Sequence, residues 1–118
     1  GNLEAVAQYF TPDYQVHLTH RNLNGGHKLV RDIVGQLRHS FADIQVDTEI
    51  LVESDTRVAW QRIVRGNHVH AFKGFPASGR ELIWREMLTS EFKNDLITEE
   101  WVLTDLAEQL LLARQKAK

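Results

Sequence analysis

Apolar positions change period along the chain, and the changes divide it into elements. Leu3, Val6, Ala7 and Phe10 recur at helical spacing, and Thr11-Pro12-Asp13 ends that helix because proline restricts the residue before it. Residues 14–20, YQVHLTH, predict a short strand, and residues 22–26, NLNGG, a turn. Leu29, Ile33, Leu37 and Phe41 mark one face of a second helix. Alternation over 44–52 and 56–64 predicts two strands joined around Glu53-Ser54-Asp55. Another strand is predicted over 81–92, then a tight turn at Asn94-Asp95, then a strand over 96–103. Leu106, Leu110 and Ala113 close the chain as an amphipathic helix, with Asp105 near its start.

Strands that follow one another beside helices, instead of alternating with them, argue for an α+β fold with a largely antiparallel sheet. A strongly curved sheet would enclose a cone against the N-terminal helices, with an internal pocket. The 118 residues make one domain, 1–118, with no repeat or linker. A net charge of −2 gives no basic field for nucleic acid. The absence of cysteine removes disulfides, thiolate metal sites and a cysteine nucleophile. No apolar run reaches membrane-spanning length and no signal pattern opens the chain, so a soluble cytoplasmic protein is expected.

Residues 74–81, GFPASGRE, form a longer connector between strands than a tight hairpin needs. This stretch resembles the G-x-P-A-x-G-K/R connector of the SnoaL-like polyketide cyclases, within the nuclear-transport-factor-2-like superfamily. Three further stretches agree in order. YFTPDYQVH is similar to the family's first helix end and strand, with His17 at its histidine. RGNHVHAFKGFPASG places His68 at a second histidine, and ITEEWVLTD places Trp101 and Asp105. Departures accompany the match: Asn94-Asp95 stands for Asp-Gly, Glu91 for a common arginine, and Ala71 for a glycine.

The resemblance implies a cone-shaped α+β barrel, commonly a homodimer. Its relatives include aldol cyclases, ketosteroid isomerases, epoxide hydrolases, dehydratases and non-catalytic binders, so the fold does not select the reaction. It also implies Asp105 as the acid/base, while position alone makes the same residue a helix N-cap. His68 or His17 would hydrogen-bond an enolate oxygen, and Trp101 would desolvate Asp105 and raise its pKa. Tyr14, Arg85 and His70 join Trp101 as expected substrate contacts. His68 and His70 would share a strand face, but two histidines lack the further ligands of a metal site, so neither metal nor cofactor is expected. Arg85 and Glu91 share a face by parity, lining either a pocket or a surface pair.

Three readings follow. The first is cofactor-free acid/base chemistry (aldol cyclisation or isomerisation) on a carbonyl compound. The others are a binder of an apolar metabolite and an assembly domain. The partners expected are a small molecule and a second copy of the chain.

Overall fold

The computed structural model describes residues 5–19 and 21–116. The elements are α1 (Val6–Tyr9), β1 (Phe10–His17), β2 (Asn22–Asn24), α2 (Gly26–Ser40), β3 (Phe41–Glu53), β4 (Arg57–His68), β5 (Glu81–Lys93), β6 (Leu96–Thr104) and α3 (Leu106–Lys116). One six-stranded sheet runs in the order β2-β1-β6-β5-β4-β3. Among the described residues only the β1–β6 pair is parallel, and the other neighbouring strands are antiparallel. The result is the expected α+β architecture on a curved, open sheet. Register shifts within β3, between Ala42 and Gln45 and between Ile50 and Val52, add to its bend, with Asp43 left-handed at φ 55° in the first.

Several local expectations are corrected. Helix α1 is a single turn, and Phe10 with Thr-Pro-Asp belongs to β1; Leu3 lies outside the described residues. Pairing of β1 with β6 is interrupted between Phe10 and Gln15, and Pro12, which has no N–H to give, occupies the gap. Asn22–Asn24 form a strand on β1, and the turn is confined to Gly25 and the start of α2. Gly26 is left-handed at φ 58°, and a Cβ there would stand 2.0 Å from the Pro12 carbonyl oxygen, so only glycine fits. The buried side of α2 runs through Val30, with Val34 and Leu37 partly covered, while Ile33 is exposed.

Two cores form on the helix-covered, inner face of the sheet. One joins Phe41, Val64, Phe72, Leu82 and Trp84 to Leu110 and Ala113 of α3. The other joins Tyr14 and Val16 of β1 to Val6 and Val30. The connector between β4 and β5 supplies part of the first core. Lys73 and Gly74 are both left-handed, at φ 47° and 86°, and make a miniature hairpin in which Phe72 and Phe75 exchange N–H···O bonds of 2.9 and 2.8 Å. At its base the Gly79 N–H bonds to the His68 carbonyl at 3.0 Å, and the His68 N–H to that of Arg80 at 2.9 Å. The extra length thus delivers two phenylalanines to the core, Phe72 buried and Phe75 packed against it. Asn94 and Asp95 are left-handed at φ 52° and 65°, the conformation of a two-residue type I′ hairpin. Among the described residues no helix is long and apolar enough to cross a membrane.

Candidate functional site

Strand alternation decides which side chains meet. Along β5, Leu82, Trp84, Glu86, Leu88 and Ser90 face inward, while Ile83, Arg85, Met87, Thr89 and Glu91 face outward. Register carries the same parity to β6 and β4: Ser90 pairs with Glu100, Trp60 with Leu88, and Arg62 with Glu86. The inner face therefore gathers Glu100, Ser90, Trp60, Arg62 and Glu86 beside Tyr14 of β1.

These residues form a connected polar group. Tyr14 Oη donates to Glu100 Oε1 at 2.7 Å, and Ser90 Oγ donates to Glu100 Oε2 at 2.5 Å. Trp60 Nε1 donates to Ser90 Oγ at 2.9 Å, and Arg62 Nε to Glu86 Oε1 at 2.5 Å. The Arg62 guanidinium lies 5.2 Å from the Trp60 ring centroid. Glu100 is 7% exposed and Ser90 fully buried. Burial, and then the neighbouring Glu100 charge, push the Tyr14 phenol well above its ordinary range, so it remains a protonated donor. A carboxylate has about four acceptor positions, so two hydrogen bonds leave Glu100 room to take a proton.

The residues expected to form one site are divided among several places. Tyr14 is on the inner face. His68 is also inward but at the far end of β4, stacked on Phe41 with centroids 5.0 Å apart. Ser78 N–H approaches its Nδ1 at 3.4 Å, and among the described residues its buried Nε2 has no partner. The strand ends at His68, so His70 does not share its face; it lies in the connector and stacks on His39 at 4.6 Å. His17 and Trp101 face outward and stack on each other at 5.1 Å, with the Arg57 guanidinium 4.9 Å from the Trp101 centroid. Arg85 is outward and exposed.

Asp105 precedes α3. Its Oδ1 accepts the Arg85 backbone N–H at 2.8 Å, and its Oδ2 accepts the Gln109 amide at 3.3 Å. These bonds tie the end of β6 to β5 and to the first turn of α3. Trp101 contacts His17 and Arg57 instead of shielding Asp105. Glu91, standing where relatives commonly have arginine, pairs with Arg57 at 2.6 Å on the outer face. A cavity of about 420 Å³ also opens outward, lined by His17, Leu51, Met87, Thr89, Trp101 and Leu103 among others.

Glu100, Arg62 and Glu86 were open to discovery by parity. The pair Glu99-Glu100 in one strand must place a carboxylate on each face. Trp60-x-Arg62-x-Val64 and Trp84-x-Glu86-x-Leu88 each set a charge inside an inward apolar series. The family motif drew attention to Trp101 and Asp105 instead.

The family model for SnoaL-like polyketide cyclases matches residues 1–112. The chain belongs to that family. Solved structures agree on the fold of this SnoaL-like domain. A candidate polyketide cyclase from Acidithiobacillus ferrooxidans superposes with a TM-score of 0.79 at 25% identity, over 98% of this chain and 84% of that one. IdmH, a candidate polyketide cyclase from Streptomyces antibioticus, gives 0.77 at 22% identity, over 96% and 86%. AclR, a candidate hydroxylase from Streptomyces galilaeus, gives 0.78 at 23% identity, over 98% and 71%. No curated protein matches the chain.

His17 and His68 should give this SnoaL-like domain opposed pH limbs. His17 lies between Glu99 and Asn22, and its bond to Glu99, followed by that to Asn22, raises its pKa. The raised value means that its contribution is complete below about pH 6.5 and is lost as pH rises through the folded-state pKa. Burial lowers the His68 pKa, so its contribution is present above about 6.5 and lost as pH falls toward the folded-state value. Urea midpoints measured against pH should lose the alkaline decline in His17→Gln and retain the acid one. Identical profiles for variant and wild type would discard the His17–Glu99 linkage.

Proposed function

We propose that the chain binds a small carbonyl compound against its inner face and moves a proton on it without a cofactor. The buried Tyr14–Glu100–Ser90 cluster carries this reading, because it sets a carboxylate and a protonated phenol on the face that also bears Arg62. Glu100 would remove a proton from carbon next to a carbonyl. The C–H electron pair would pass to the enolate oxygen, where a hydrogen-bond donor stabilises the new charge. Attack of the enolate carbon on a second carbonyl gives aldol cyclisation; reprotonation elsewhere gives isomerisation. The relatives described as polyketide cyclases support this substrate class.

The test is deuterium uptake from D₂O into the carbon between the carbonyls of a panel of 1,3-diketones, followed by NMR. Uptake faster than buffer and serum albumin is expected for at least one compound. Tight binding without exchange would transfer support to the second reading, a non-catalytic binder. That reading is favoured by one observation: Asp105, at the family's acid/base position, is bonded into the junction of β5 with α3 by Arg85 and Gln109 and, among the described residues, makes no bond to the inner polar cluster.

The outer face is proposed to cover itself with a second copy of the chain. Val52, Ile83, Met87 and Leu103 are exposed there. Two charged pairs there are satisfied within the chain, Arg57 with Glu91 and His17 with Glu99, while Arg85 stays exposed. Such a face calls for apolar contact, and a two-fold axis can supply the same patch twice. Sedimentation at micromolar concentration should show a dimer that Leu103→Glu converts to monomer; a wild-type monomer would sink the claim.

A further inference from the structure

Arg62 is the inner-face cation, and its hydrogen bonding is incomplete. Nε donates to Glu86, and among the described residues neither Nη group donates to anything. A guanidinium has five N–H donors, so four remain on the Nη edge. Its side chain is 33% exposed and that of Glu86 15%, which leaves the edge within reach of solvent and ligand. The group is also held in orientation: Glu86 fixes Nε, and Trp60, itself anchored to Ser90, supports the guanidinium. On β3, Thr48 pairs with Arg62 and the exposed Ile50 with Trp60, which places one exposed apolar side chain near the cation. The Arg62 charge opposes the upward push on the Tyr14 phenol, which sets it within electrostatic range of the Tyr14–Glu100 pair.

We propose that the Nη edge of Arg62 recognises a planar anion with two coplanar oxygens, the enolate of a 1,3-dicarbonyl compound. This rests on the proton-transfer reading above and names its substrate class. Two parallel N–H groups of a guanidinium match two coplanar oxygens in a way that a point charge does not. The charge balance fits. A C–H bond breaks, an O–H bond forms on Glu100, and the electron pair becomes the enolate charge. Negative charge thus leaves Glu100 and reappears on the ligand beside Arg62, with the total unchanged. The Arg62–Glu86 pair remains in place, since only its free edge is used.

Benzoylacetone is a suitable probe because its enol and enolate absorb differently. Bound to the full chain, its enolate-to-enol ratio at fixed pH should rise about tenfold or more over the free compound. Arg62→Met should abolish that rise, and Arg62→Lys, which keeps charge without the fork, should retain only part of it. Glu100→Gln should keep the rise while losing deuterium uptake, so failure of the proton-transfer reading is seen separately. Sodium benzoate tests the other source of two coplanar oxygens. If benzoate binds through Arg62 while benzoylacetone binds without ionising, the site is a carboxylate site and the enolate proposal is overturned. Equal ionisation on wild type and a folded Arg62→Met overturns it too, as does no binding of benzoylacetone. If Arg62→Met does not fold, full ionisation on Arg62→Lys serves as the overturning result.

Discussion

Phe41→Ala is expected to destabilise the domain by about 3–5 kcal/mol, read as a lowered urea midpoint with little change in slope. The residue is 2% exposed and touches three rings: His68 and Trp84, each at 5.0 Å between centroids, and Phe72 at 5.6 Å. It also stands where α2 hands over to β3, with its N–H bonded to the Leu37 carbonyl. The side chain therefore joins the helix, the sheet and the β4–β5 connector at once. Gly66 marks how closely they meet, since a Cβ there would come within 3.1 Å of the Phe41 Cβ. Collapse into the vacated space is hindered because its walls belong to different elements. Phe41→Leu fills much of the volume and should cost clearly less. A loss below about 1 kcal/mol for alanine would mean that these elements can close up independently, against the packing described here.

The architecture was legible because it depends on repeated features. Three long alternating strands, the Asn94-Asp95 turn and the stripe Leu106, Leu110, Ala113 each had several residues voting the same way. Pattern and structure part company where one backbone constraint outweighs the local pattern. Phe10 continued a helical spacing, yet hydrogen bonding to β6 takes it into a strand. Phe41 completed an apparent helix face and lies one residue past the helix, buried all the same because the chain turns there into β3. The NLNGG segment looked like a turn because Asn and Gly favour one, but Val16 and His17 offered an edge with which Leu23 and Asn22 could pair.

Site residues were less legible because a motif names positions without giving the face on which each side chain lies. Trp101 and Asp105 are four residues apart in sequence, but Trp101 is taken up by an outward stack and Asp105 by the junction of β5 with α3. His68 faces inward, at the opposite end of β4 from Trp60. Parity in β6 puts one of Glu99 and Glu100 inward, but what sets Glu100 beside Ser90 is cross-strand register, a relation between distant segments that periodicity in one segment does not contain.

Two conservative variants separate the candidate bases, and their effects should differ by orders of magnitude. Glu100→Gln preserves volume but removes the proton acceptor, so exchange or turnover on a responsive substrate should fall about 10²–10⁴-fold. Some stability should go with it. The amide presents N–H to one of two hydroxyls that both donated to the carboxylate, and although Ser90 can rotate to accept, Tyr14 is buried with less freedom. A cost of about 1–2 kcal/mol is consistent with one disturbed buried hydrogen bond. Asp105→Asn keeps an oxygen for the Arg85 N–H and remains an acceptable helix cap, so fold and rate should stay near wild type. Thermal melts establish that both variants are folded before rates are compared. If Asp105→Asn loses the rate and Glu100→Gln keeps it, the base is Asp105, and the β5–α3 junction must open to release its carboxylate. If both keep the rate, the proton passes to neither carboxylate, and the inner face serves to hold the compound while another group does the chemistry.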